Sequence, residues 1–305
     1  MLIFDYNNDD WPDIMLANDT QPNKLWENQK DVTFSEMGLL AGVAFSEDGV
    51  ARGAMGIDAG DYDHSGRPSV VIGNFSNEMV TLYHNEGSGG FIDEAPTSSI
   101  GPASLLTLAF SCFFFDYDLD GFLDVYVANG HVENDISRVQ QEVRYAQPPH
   151  LFRNLDGRRF QEVTAQLEKV FSGPRVGRGA AYGDYDRDGD LDILVPSSGG
   201  SAKLFRNEGG SGNNWITLRL VGAQSNRDGI GARVRLRAGA VTQSGLVKTG
   251  SSYCSQSQLA LSFGLKAATR IDSLEVLWPK GKKQVLTELP INKPVTVHEE
   301  RGVIR

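Results

Sequence analysis

Two cysteines in 305 residues, Cys112 and Cys254, exclude a disulfide framework. They stand far apart and read as small apolar side chains, each buried in a different domain. No run approaches the 18 apolar residues of a membrane-spanning helix, so no membrane insertion is predicted. Basic residues are also short, with 29 Lys and Arg against 39 Asp and Glu and a formal net charge of −10. That balance argues against a nucleic-acid backbone or an anionic membrane as partner. Catalytic signatures are missing too: the five histidines are scattered at 64, 84, 131, 150 and 298, and there is no G-x-S-x-G elbow, H-E-x-x-H helix or P-loop. RVGRGAAYG begins like a dinucleotide fingerprint but has Tyr182 where the third glycine belongs. The chain is therefore expected not to be an enzyme. What remains is an ordinary globular composition, 40% hydrophobic and 9% aromatic, whose negative charge is gathered into a few short stretches.

The densest of these is FDYDLDGFLDVYVAN, residues 115 to 129, where Asp116, Asp118, Asp120 and Asp124 follow a 1, 3, 5, 9 spacing with Gly121 at position 6. Mutual repulsion demands a neutralising partner, and a hard cation suits the pattern. Calcium takes six to eight oxygens at about 2.3–2.6 Å, and alternate side chains of a tight loop can supply them around a glycine turn. The spacing recurs at Asp184, Asp186, Asp188, Gly189 and Asp192. A third copy has Asp5, Asn7, Asp9 and Asp13, with Asp10 in the glycine position, and is expected to bind as well. The fourth keeps Asp61, Asp63 and Gly66 but has Ser65 at position 5 and Ser69 at position 9, which makes it the weakest candidate. An EF-hand is ruled out because position 12 is Val127 or Val195 and the flanks are rich in β-branched and aromatic residues.

The repetition extends beyond the loops. A Leu-aromatic-x-Asn signature appears as LWEN at 25–28, LYHN at 82–85, LFRN at 151–154 and LFRN at 204–207. Units of about this length, made of short strands and tight turns, bury their faces against one another, and radial packing into a β-propeller is the usual outcome. The prediction is an all-β fold: propeller repeats over residues 1–212, four of them visible as an arc of a larger ring, then a β-sandwich-like domain over 213–305. The chain starts inside a repeat, which suggests a truncated N-terminus. GGSGNN at 209–214 reads as the linker, and NWITLRLVG opens the alternating strands of the second domain. Two stretches stand outside the pattern. The insertion 131–150 carries His131, Glu133 and His150 and is expected to form a surface excursion with a short helix. GSSYCSQSQ, around 250–258, is expected to form a structural turn.

These motifs resemble the FG-GAP/VCBS calcium-binding repeats of integrin-type propellers, and NWITLRLVGAQSNRDGIGARVRLRAG with GSSYCSQSQLALSFGL resembles an ASPIC/UnbV domain. Together they resemble the cartilage acidic protein 1 and ASPIC/UnbV family over essentially the whole chain. The resemblance implies a seven-bladed propeller, secreted or periplasmic, that binds calcium as a structural ion. Carried over to this sequence, it implies backbone carbonyl ligands at Phe122 and Asp190 beside the carboxylates named above. The function expected is a binding or adhesion scaffold that engages a protein or carbohydrate at an extracellular surface. The alternative is an enzyme or accessory protein of a biosynthetic pathway, with its site on the 131–150 insertion or the 250–258 motif.

Overall fold

The computed structural model describes residues 1–209 and 212–304, so Gly210 and Ser211 of the expected linker lie outside the described residues. Four antiparallel sheets follow one another along the chain. The first holds β1 (Leu2–Phe4), β2 (Asp13–Leu16), β3 (Lys24–Asn28) and β4 (Phe34–Glu36); the second β5 (Ala54–Gly60), β6 (Ser69–Asn74), β7 (Thr81–Gly87) and β8 (Gly90–Asp93). The third holds β9 (Ala109–Phe115), β10 (Asp124–Asn129), β11 (His150–Asn154) and β12 (Phe160–Glu162); the fourth β13 (Ala181–Gly183), β14 (Asp192–Val195) and β15 (Lys203–Phe205). Each is a meander in sequence order, the form of a propeller blade.

Stacking of blade on blade explains why the inner strands read as unbroken apolar runs. On β9, Cys112 and Phe114 enter one apolar layer with Val71, Leu82 and Phe152 of the second and third blades. Phe113 and Phe115, pointing the other way, enter the next layer with Tyr126, Ile193 and Val195 of the third and fourth. A strand buried on both faces has no polar side to alternate with. The inner strands also approach closely: a Cβ added to Gly56 on β5 would lie 2.5 Å from the carbonyl oxygen of Phe110 on β9.

The asparagine of the repeat signature stitches the blades together. Asn85, Asn154 and Asn207 donate through Nδ2 to the carbonyls of Tyr6, Tyr62 and Tyr117, at 2.8, 2.9 and 2.7 Å, each in the loop of the preceding blade. The insertion 131–150 carries one 3₁₀ turn, Ile136–Arg138, in place of the expected helix.

Beyond residue 213 two further sheets form a sandwich. One is ordered β19 (Leu261–Lys266), β16 (Asn214–Val221), β22 (Lys293–His298), β23 (Gly302–Ile304); the other β18 (Val241–Leu246), β17 (Arg233–Ala238), β20 (Ser273–Leu277), β21 (Lys283–Leu286). Here the strands do alternate: on β17, Val234, Leu236 and Ala238 enter the core with Trp278, while Arg235 and Arg237 face out. A buried carboxylate ties the loop after β16. Glu299 Oε2 accepts the backbone N–H groups of Ala223, Gln224 and Ser225 at 2.7, 2.8 and 2.8 Å, and Oε1 accepts the Ser225 hydroxyl at 2.8 Å.

Burial pushes the Glu299 carboxyl up, but these donors outweigh it and hold it at about 2. A depressed folded value means the stabilisation is complete above the unfolded value of about 4.3 and is lost as pH falls through about 2. Glu299→Gln is expected to cost about 2 kcal/mol at neutral pH, because it exchanges charge-assisted hydrogen bonds for neutral ones. It should also flatten the acid limb of unfolding below pH 4.5. An acid limb identical to wild type would count against this role.

Candidate metal loops beneath the second domain

The acidic loops join the first and second strands of each blade, and all four share one backbone form. Position 4 is left-handed in each, at Asn8, His64, Leu119 and Arg187, with φ between 57° and 65°. Position 6 is left-handed as well, at Asp10, Gly66, Gly121 and Gly189. Two such residues curl the chain so that its N–H groups point inward at the carboxylates. Asp116 Oδ1 and Oδ2 accept from the amides of Asp120 and Gly121 at 3.1 and 2.9 Å. Asp5 does the same for Asp9 and Asp10, at 3.0 and 2.8 Å. At position 5, Asp9, Asp120 and Asp188 each accept the amide two residues on, and Ser65 does so through its hydroxyl. Serine thus preserves the turn of the second loop while removing a charge.

The result is two clusters. Carboxylate oxygens of Asp116, Asp118 and Asp120 lie within 4.8 Å of one another, as do those of Asp184, Asp186 and Asp188. Position 9 stands apart. Asp124 Oδ2 accepts Tyr117 N at 3.0 Å and its Oδ1 accepts Asn154 N at 2.7 Å. Asp192 repeats this with Tyr185 and Asn207, and Asp13 with Tyr6 and Asn28. In each case both oxygens already anchor backbone amides, which joins the loop to the third strand of its blade. Ser69 of the second blade keeps one half of the arrangement, accepting Asn85 N at 3.1 Å.

The variable residue of the repeat signature supplies a partner for position 3. Arg153 pairs with Asp118 at 2.6 Å, Arg206 with Asp186 at 2.6 Å and His84 with Asp63 at 3.0 Å. In the first blade this position is Glu27, whose Oε1 accepts from the side-chain Nδ2 of Asn7 at 3.4 Å. His84 is raised to about 9, chiefly by its bond to Asp63 and, against its burial, by Glu86. Burial would raise Asp63, but the His84 ring outweighs it and holds that carboxyl low.

One cationic side chain does not balance such a loop. Among the described residues, Asp61 Oδ1, Asp118 Oδ1 and Asp184 Oδ1 are buried carboxylate oxygens without a hydrogen-bond partner. Burial, then repulsion from Asp120, holds Asp116 well above the usual carboxylate range. Asp61 is pushed to about 7 by burial and then by Asp63. Loops that orphan an oxygen and resist ionisation fit a hard cation bound by oxygen ligands.

The second domain touches the loops from one side, while Asn8 and Asp10 of the first and Asp186 and Asp188 of the fourth remain exposed. Gly264 N donates to Asp116 Oδ2 at 3.2 Å, and Lys266 N donates to the Leu119 carbonyl at 3.1 Å. At Gly189 an added Cβ would lie 2.0 Å from the Trp215 ring, so glycine there serves domain contact as well as backbone shape. Laterally, Asn8 donates to the Gly66 carbonyl at 3.1 Å and His64 Nε2 to the Gly121 carbonyl at 2.8 Å, linking three loops in a row. A cavity of about 400 Å³ lies along this seam, lined by Asp5, Asp61 and Asp116 from the blades and Arg233, Gln243 and Lys248 from the sandwich.

GSSYCSQSQ is more than a turn. It runs across the inner strands of three blades: Ser252 N donates to the Ile57 carbonyl at 2.7 Å, Tyr253 packs edge-on against Phe110, and Gln258 receives Asp184 N at 3.0 Å and donates its own N–H to Tyr182 O. Lys248, just before it, pairs with buried Asp58 on β5. Cys254, at φ 45°, is exposed, contrary to the expected buried side chain. The histidines of the insertion have separate surroundings. His131 packs on Phe75, and His150 bonds Thr107 at 3.2 Å. Among the described residues no hydrogen bond joins either to Cys254.

Sequence profiles of two families match the chain: FG-GAP-like repeat over residues 5–72 and 65–127, and ASPIC and UnbV over 222–304. Cartilage acidic protein 1 of Xenopus tropicalis is 27% identical over 278 residues, and that of Homo sapiens 27% over 282, each covering 88% of this chain. The chain spans about two fifths of the length of these relatives, 40% and 39%. A solved structure of an Agrocybe aegerita lectin, concerned with recognition of non-reducing terminal N-acetylglucosamine, aligns with 94% of this chain and 79% of its own at 16% identity. Its TM-score of 0.42 is too low to carry an argument.

Proposed function

We propose that this chain, which belongs to the FG-GAP-like repeat proteins carrying an ASPIC and UnbV domain, is a calcium-holding binding scaffold of the extracellular space. The observation that carries the reading is the orphaned, buried carboxylate oxygen in loops of one repeated form, at Asp118 and Asp184 above all. Asp116, Asp118 and Asp120 would hold one ion with the Phe122 carbonyl, and Asp184, Asp186 and Asp188 another with the carbonyl of Asp190. Calcium, when bound, supplies the positive charge that keeps these carboxylates ionised beside one another.

Asp124 and Asp192 hold each loop to its blade. The second domain, seated on the loops, gives the ions a further role as part of the floor beneath it. Extracellular modules bind calcium at about 10⁻⁴–10⁻³ M, an affinity suited to the outside of a cell. The partner of such a scaffold is a protein or a carbohydrate, and the rigid blade face is the surface offered to it. The separate surroundings of His131, His150 and Cys254 favour this reading over catalysis.

Equilibrium dialysis against calcium is expected to show saturable binding in that millimolar-to-submillimolar range, and hardly any magnesium at the same concentration. Sub-micromolar affinity, or equal uptake of the two ions, would point to a different class of protein.

A further inference from the structure

The first loop is neutralised differently from the other three. Arg233, at the start of β17 in the second domain, places Nη1 2.6 Å from Asp5 Oδ2 and bonds Asp10 Oδ1 through Nη2. Asp5 is position 1 of the loop, the carboxylate that receives the inward-pointing amides. Asp10 stands at position 6, where the other loops have glycine, and it adopts φ 75° although it carries a side chain. A left-handed aspartate costs conformational energy that glycine avoids, so its carboxylate needs a use, and the guanidinium provides one. Lys30 adds a second cation at Asp9, 3.1 Å away. Unlike the other three loops, this one has no buried carboxylate oxygen without a partner among the described residues.

We infer that Arg233 is the resident cation of the first loop, which closes as a clasp between the two domains rather than as a calcium site. A guanidinium lying across two carboxylates matches their geometry in a way a lysine ammonium would not. The arrangement anchors the first blade to the sandwich by charge, as Lys248 and Asp58 do the second, whereas the third and fourth meet it through Gly264 and Trp215. The inference rests on the calcium reading only for the ion count, and its test is arranged so that the two fail separately.

In chelator, Asp10→Gly is expected to lower the unfolding temperature. If position 6 matters only for backbone shape, glycine should raise it instead, so the sign of the shift decides the matter without any calcium being present. Calcium titration supplies the second arm. Arg233→Gln is expected to take up one more calcium equivalent per chain than the wild type, and Asp5→Asn in the wild-type background to leave the count unchanged. A wild-type count that falls by one on Asp5→Asn, or an Arg233→Gln protein that gains none while the other loops load, would overturn the clasp. If no loop loads, the calcium reading falls, and the Asp10→Gly shift still decides the clasp.

Discussion

Calcium added to the chelator-treated protein is expected to raise its unfolding free energy by about 5 kcal/mol, since ligand at a hundredfold over its Kd contributes about 2.7 kcal/mol at each independent site. Two sites are counted because two loops cluster three carboxylates each. Asp118→Asn should halve that gain. In chelator the same substitution should be neutral or stabilising. It removes a charge that burial already disfavours, leaves an amide oxygen for Arg153, and turns an N–H₂ group toward the place of the orphaned oxygen. Opposite behaviour in the two conditions separates a metal ligand from a residue that merely packs. Magnesium should produce little of the shift, because it demands octahedral geometry at about 2.0–2.1 Å and sheds water reluctantly. Thermal unfolding of wild type and variant in calcium, magnesium and chelator is the measurement. An equal loss for Asp118→Asn in all three would sink the assignment.

Lys248→Met is expected to cost about 3–5 kcal/mol, the range for stripping a buried charge of its partner. Asp58 is 1% exposed on the inner strand β5, where one oxygen accepts Phe114 N at 2.9 Å and the other holds the Lys248 ammonium. The lysine also reaches the Ala59 carbonyl, so a single side chain from the sandwich seals the inner edge of the second blade. Adding Asp58→Asn to Lys248→Met should recover most of the loss, since no uncompensated charge then remains while the Phe114 amide keeps an acceptor. Chemical denaturation of the single and double variants tests this. A double variant as unstable as Lys248→Met alone would show that the loss comes from packing rather than charge.

Much of the architecture was legible in the chain because its signals are short-ranged. The curl of a loop is set within nine residues, so alternate aspartates with a turn residue at position 6 announced every loop. Apolar runs on β9 and β10 against the strict alternation of β17 marked the change from stacked blades to sandwich. Position 9 has a second task that its spacing did not announce: its carboxylate accepts two backbone amides, one of them fifteen or more residues away. The insertion offered histidine and glutamate in a polar stretch, but the fold gives His131 and His150 different neighbours.

The sequence by itself determined which residues form the loops, where the blades repeat and where the second domain begins, since each of these depends on neighbours in the chain. Only the tertiary structure decided that Arg233 meets Asp5 across 228 positions, that Lys248 meets Asp58, and that residues 250–258 cross three blades. Those contacts follow from how one folded domain seats on another, and contacts between separately folded surfaces leave no periodic trace in the chain.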